Sequence, residues 1–118
     1  MTTTLYGIPN CDTVKRARKW LDDHAVAHRF HDFRKDGVPG AELDRWLDTA
    51  GWEALVNRRG TTWRKLDEAT RAGVVDAATA RPVLIAHPSL IRRPVVAWGG
   101  SGSVTVGFEP DLWTSMRA

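Results

Sequence analysis

The chain carries one cysteine, Cys11, within Leu5-Tyr6-Gly7-Ile8-Pro9-Asn10-Cys11-Asp12-Thr13-Val14-Lys15. A short β-type run ends in a Gly/Pro/Asn turn, and the cysteine opens a helical pattern. A helix N-terminus presents unpaired N–H groups and a partial positive charge, and both favour thiolate over thiol. The thiolate is the nucleophile that redox and group-transfer chemistry requires. Lys15, at i+4, and Arg18, at i+7, add positive potential on the cysteine's side of that helix. Asp12 acts in the opposite sense, because a neighbouring carboxylate disfavours an anionic sulfur. A lone cysteine is commonly an inert small hydrophobe. The strand–turn–cysteine–helix setting argues here for a reactive one.

The elements that must hold Cys11 follow from hydrophobic period. Thr3 to Tyr6 reads as a strand. From Asp12 to Ala25, Val14, Ala17, Leu21 and Ala25 recur at helical spacing, with Trp20 at the edge of the stripe. Val26 to Asp32 alternates as a second strand, with Val26, His28, Phe30 and Asp32 on one side. Asp36 to Gly40 is a turn cluster, and Asp32, Arg34 and Asp36 read as a charged loop.

A helix is expected from Gly40 or Ala41, with Leu43, Trp46, Leu47 and Ala50 as its stripe and Gly51 as its stop. One more turn covers Glu53 to Val56. Asn57 to Thr62 reads as a loop in which Thr61 or Thr62 caps a short helix carrying Trp63, Leu66 and Ala69. Asp76 or Thr79 caps the next helix, which carries Val83, Leu84 and Ala86. Pro82 favours Thr79, because proline is tolerated in a first turn and damaging deeper in. Val95 to Trp98 and Ser103 to Phe108 form a hairpin across Gly99 to Gly102. Pro110 opens a final helix with Leu112, Trp113 and Met116.

The order is β-α-β, a helical stretch, then β-β-α. A parallel first pair needs a right-handed crossover, and the late hairpin adds two antiparallel strands. The expected fold is α/β and thioredoxin-like: a four-stranded mixed sheet with a helical subdomain inserted at about residues 40–88. All 118 residues then form one domain.

Composition narrows the function. One cysteine excludes an internal disulfide framework and a cysteine-based zinc cage. His24, His28, His31 and His87 lack a tight ligand spacing, so no metal is expected. No apolar run approaches the length of a membrane span. Met1-Thr2-Thr3-Thr4 does not read as a signal peptide, so the expected location is the cytoplasm. The formal charge of +3 is spread along the chain without a polybasic block, and nucleic acid is not an expected partner. The six tryptophans fall mostly on apolar stripes and are assigned to packing. Gly99-Gly100-Ser101-Gly102 lacks the lysine of a phosphate loop.

Three segments carry a resemblance: Tyr6 to Lys15, Asn57-Arg58-Arg59-Gly60-Thr61-Thr62-Trp63-Arg64-Lys65-Leu66, and Pro88-Ser89-Leu90-Ile91-Arg92-Arg93-Pro94-Val95-Val96. Together they resemble the arsenate reductase (ArsC)/Spx family, and within it the small bacterial YffB-like branch. The resemblance implies a thioredoxin-like fold with an inserted helical subdomain, a catalytic cysteine at Cys11 and a supporting arginine at Arg93. It also implies a cis Arg93–Pro94 peptide whose backbone faces the cysteine and holds a peptide-like thiol substrate.

The departures matter as well. Glutaredoxin-dependent arsenate reductases of this family use three arginines around the oxyanion. One position falls on Asn57, with Arg58 next to it, and the last falls near Gly107. Only Arg93 is retained, which argues against efficient arsenate reduction. Spx-type regulators often carry Cys-x-x-Cys, and here Val14 stands at the second place. The phosphatase-like reductase class needs Cys-x5-Arg, and here Ala17 stands at the last place.

The resemblance therefore implies a monothiol reductase with no bound cofactor. Cys11 attacks a small oxidised substrate, and glutathione or glutaredoxin resolves the mixed disulfide. Lys15, Asn57, Arg58 and Pro94 are the expected substrate contacts, with Arg58 or Arg59 reaching in from its loop. A monomer is expected. The competing expectations are an arsenate reductase proper, and an Spx-like protein that binds a partner such as RNA polymerase without turnover.

Overall fold

The computed structural model describes residues 2–116. They divide into two compact units: one made of the residues up to Asp36 together with those from Arg93 onward, the other of Gly37–Arg92.

The first unit is built on a four-stranded mixed sheet in the order β2-β1-β3-β4. Its strands are β1 (Thr3–Gly7), β2 (His28–Asp32), β3 (Val95–Ala97) and β4 (Val104–Val106). β1 and β2 run parallel, in register from Thr3 opposite His28 to Gly7 opposite Asp32. β3 pairs antiparallel with β1, Tyr6 opposite Val95, and β4 pairs antiparallel with β3, Val95 opposite Val106. In the hairpin loop Gly102 (φ 73°) and Ser103 together stand opposite Trp98: Gly102 N donates to Trp98 O and Trp98 N donates to Ser103 O. This bulge starts β4 at Val104, one residue later than alternation suggests.

Helix α1 (Asp12–Asp23) is the parallel crossover. Its stripe Val14, Ala17 and Leu21 is fully buried with Leu5, Val96, Trp98 and Trp113. Trp113 comes from α8 (Pro110–Met116). Its ring meets Trp20, Trp98 and Phe108 edge-on at 4.9–5.5 Å between centroids. Such pairs add roughly 0.5–1.5 kcal/mol each beyond their buried area. On the same face Trp98 Nε1 donates to Thr105 Oγ1 at 2.9 Å, satisfying a buried polar pair. The opposite face carries Tyr6, whose ring lies 5.0 Å from His31 and 6.3 Å from Phe33.

The helix stops before Ala25. Val26 N donates to Leu21 O and Ala25 N to Asp22 O, while Ala25 takes φ 55°. These are the paired bonds of a Schellman termination, with alanine in the place usually held by glycine. Ala25 is thus an exposed turn residue, not part of the buried stripe. The expected charged loop also resolves differently. Phe33–Asp36 forms a turn of helix, α2, with Phe33 buried, and Asp32 Oδ1 accepts from Arg34 N at 2.9 Å. One apolar residue in a four-residue element leaves no period to read.

The second unit is helical: α3 (Gly40–Thr49), α4 (Trp52–Leu55), α5 (Thr61–Lys65), α6 (Glu68–Gly73), α7 (Ala77–Ala86) and a 3-10 turn at Pro88–Leu90. Leu43, Trp46 and Leu47 are buried on α3, and Gly51 (φ 89°) follows it. A single β-bridge joins Val56 to Ile91, flanked by bonds from Asn57 N to Leu90 O and from Arg92 N to Leu55 O. Arg81 of α7 donates to Asp44 of α3 at 2.6 Å.

Three sequence expectations are corrected in this unit. Trp63, Leu66 and Ala69 do not share one helix: Leu66 is extended at ψ 147°, and Asp67 caps a new helix by accepting from Thr70 N. Gly60, not Thr61 or Thr62, is the N-cap of α5. Asp76, not Thr79, caps α7, because the two residues form a reciprocal capping box. Pro82 then lies inside the helix. It removes a donor to the Ala78 carbonyl at an exposed part of the helix, where the cost of an unmade bond is lowest. On α7 the buried residues are Ala80 and Leu84, while Ala86 is exposed.

Candidate active site

Cys11 is the N-cap of α1, with extended backbone at φ −109° and ψ 125°. Its carbonyl accepts from Lys15 N at 2.9 Å, which begins the helix. Its side chain makes no capping bond, so the sulfur is not spent on the first-turn amides. The residue is half-buried and packs against the Leu5–Trp113 cluster. It is thus anchored on one side and open on another, beside helical N–H groups that lack intrahelical partners.

β1 delivers the loop that carries it. The strand ends at Gly7, and buried Ile8 leads through exposed Pro9 and Asn10 to Cys11. β3 begins at that same end of the sheet, since Tyr6 stands opposite Val95. Pro94 is buried, Arg93 half-buried, and the peptide between them is cis. The Pro94 carbonyl accepts from Gly107 N at 2.9 Å, which places Gly107 next in the row. The end of the sheet below Cys11 therefore reads Asp32, Gly7, Pro94, Gly107 from edge to edge.

Gly107 has φ 87°. A side chain there is disfavoured by roughly 1–2 kcal/mol, so this backbone does not readily accommodate an arginine. Gly7 answers to a different constraint, close approach: a Cβ on it would stand 2.8 Å from Val14 Cγ2. Neither role shows in hydrophobic period. A glycine at a strand end is the sole sequence signal, and it does not separate a bulge from a close approach.

Lys15 is exposed one turn along α1 from Cys11. Arg18 follows, its guanidinium 4.3 Å from the centre of the Phe30 ring. Asn57 and Arg58 lie in the Gly37–Arg92 unit. Asn57 Oδ1 accepts from Arg59 N at 3.2 Å. The Arg58 guanidinium lies over the Trp52 ring at 5.0 Å and 3.7 Å from the Glu53 carboxylate. Arg59 holds Arg64 through its carbonyl. His24 stacks on Trp20 at 3.8 Å and bonds the Trp20 carbonyl through Nδ1. Among the described residues no three His, Cys, Asp or Glu side chains gather as a metal site, and no helix is long and apolar enough to cross a membrane.

The sequence model of the ArsC family matches residues 6–116. The chain belongs to the ArsC family. An uncharacterized protein of Haemophilus influenzae is 47% identical over 106 residues, 90% of each chain. The Spx global transcriptional regulator of Streptococcus pyogenes is 28% identical over 92% of this chain and 79% of its own. A solved YffB protein superposes with a TM-score of 0.92 at 48% identity, covering 99% of this chain and 100% of that one. The solution structure of an arsenate reductase (ArsC) related protein from Brucella melitensis gives a TM-score of 0.73 at 49% identity, over 98% and 93% of the two chains. The ArsC-family fold is thus the thioredoxin-like sheet described above, and the chain is arsenate reductase-like, in a family that also holds regulators.

Proposed function

We propose that this ArsC-family chain is a monothiol reductase that works with glutathione or a glutaredoxin. The observation that carries the reading is Cys11 itself: the sole thiol, half-buried at the N-cap of α1, with its side chain free of capping bonds. The Cys11 thiolate attacks one sulfur of an oxidised substrate. A new S–S bond forms, the old one breaks, and the departing thiolate takes up a proton. Without a second cysteine, an external thiolate attacks the mixed disulfide and releases Cys11. Arg93 supports the anionic sulfur, and the backbone at Pro94 receives the substrate beside it. Lys15, Asn57 and Arg58 are proposed substrate contacts, and the cytoplasm, where thiols stay reduced, is the proposed location.

Arsenate reduction is the narrower alternative, and Asn57 and Gly107 weigh against it, because an oxyanion is held best by several guanidinium forks. The likeness to Spx supports a second alternative, in which the chain binds RNA polymerase without turnover.

Intact-mass spectrometry of wild type and Cys11→Ser after exposure to oxidised glutathione tests the reading. The expected result is a rapid adduct on wild type alone, removed by reduced glutathione or glutaredoxin. No adduct, or one that forms no faster than with a small free thiol under the same conditions, overturns it and moves the binding reading to the front.

A further inference from the structure

Lysine and arginine are spread along the chain, but their excess over aspartate and glutamate is not. The stretch from Asn57 to Arg71 holds five basic residues and two acidic ones, a net +3, which is the formal charge of the whole chain. The remaining residues balance to zero. All five cations belong to the helical unit: Arg58 and Arg59 before α5, Arg64 and Lys65 on α5, and Arg71 on α6. Arg64 Nη2 donates to the Arg59 carbonyl at 2.8 Å, and Arg71 Nη1 to the Arg64 carbonyl at 3.4 Å. A carbonyl orients a guanidinium but leaves its charge in place, and each bond uses one of its five N–H donors. Arg58 has Glu53 at 3.7 Å, and Arg71 lies near Asp67, whose carboxyl is held low chiefly by Thr70. Among the described residues Arg59, Arg64 and Lys65 have no carboxylate within ion-pair distance. Just past α6, where Val74 N donates to the Arg71 carbonyl, comes Val75, an apolar side chain 63% exposed.

We infer that this surface of the helical unit docks an acidic patch on a partner protein. Arg59, Arg64, Lys65 and Arg71 meet its carboxylates, and Val75 meets an apolar side chain beside them. Complementary charge of this kind steers encounter and fixes the register of docking. Uncompensated cations confined to one short stretch match a small cluster of carboxylates. A nucleic acid presents a continuous run of phosphates, to which the neutral remainder of the chain adds no excess charge. Asp67 and Glu68, inside the stretch itself, repel such a polyanion. Arginine beside an exposed apolar residue is also the composition of protein interfaces. Nothing in this docking requires Cys11 to react.

Fluorescence anisotropy at low salt tests it, with a labelled glutamate peptide carrying one central leucine and with a labelled DNA duplex. Wild type is expected to bind the peptide more tightly than the duplex. Arg64→Gln/Lys65→Gln is expected to weaken peptide binding about fivefold, and salt near about 0.5 M to remove most of the difference. Lys65→Gln alone lowers it about twofold, and because the exposed Lys65 side chain makes no bond among the described residues, that loss does not report unfolding. Val75→Ser is expected to weaken the leucine-bearing peptide and to leave an all-glutamate peptide unchanged. Arg16→Gln/Arg29→Gln removes two exposed cations from the other unit and is expected to leave peptide binding unchanged. An equal loss in that control reduces the effect to net charge and overturns the docking surface. Tighter binding of the duplex than of the peptide overturns it in favour of nucleic acid, and no peptide binding at low salt overturns it outright.

Discussion

Gly7 and Val14 meet where β1 ends and α1 begins, so closely that a Cβ on Gly7 would stand 2.8 Å from Val14 Cγ2. Val14 is fully buried three residues after Cys11. This contact sets how near the first turn of α1, and with it the cysteine, lies to the end of the central strand. Gly7→Ala is expected to destabilise by about 1–3 kcal/mol through overpacking. In Gly7→Ala/Val14→Ala the penalty is expected to be smaller than the sum of the single changes. Chemical denaturation of the three variants measures the coupling.

Gly107 is held at φ 87° while its N–H bonds the Pro94 carbonyl. Gly107→Ala is expected to cost about 1–2 kcal/mol, because the added Cβ disfavours this conformation. Gly107→Arg should cost at least as much and should not confer rapid arsenate reduction. A thermal melt and an arsenate-dependent thiol oxidation assay check the two halves.

Ala25 ends α1 in a left-handed conformation at φ 55°. Ala25→Gly relieves that strain without touching the buried stripe. The expected gain is about 1 kcal/mol, because the lost Cβ penalty exceeds the added freedom of the unfolded chain. A denaturation midpoint that falls on this substitution would contradict the assignment.

Asp76 and Asp67 cap α7 and α6, and hydrogen bonds from Thr79 and from Thr70 respectively hold each carboxyl below its ordinary value near 3.8. A carboxyl whose value is lower in the folded state contributes stability that is present above its unfolded value. That stability is lost as pH falls through the folded value. Asp76→Asn keeps a capping oxygen but cannot titrate. The variant carrying Asp67→Asn and Asp76→Asn is expected to show a shallower loss of stability below about pH 4, with little change at neutral pH. Melting temperatures across that range measure it.

The sequence by itself determined the parts that local chemistry and period specify. The β1–turn–Cys11–α1 unit, the α3 stripe of Leu43, Trp46 and Leu47, and the late hairpin are all legible, because each repeats its signal over several residues. Cys11 stood out for a related reason: one thiol at a strand-to-helix turn needs no partner to be noticed. The tertiary structure decided what depends on contacts far apart in sequence. It set the row of Asp32, Gly7, Pro94 and Gly107 across the sheet, because register joins residues that no local pattern connects. It separated α5 from α6 at Leu66 and placed Pro82 inside α7, because a capping box outweighed proline's preference for a first turn. It also laid Arg18 on Phe30, since a side chain on a helix finds an aromatic face only when the strand packs beneath it.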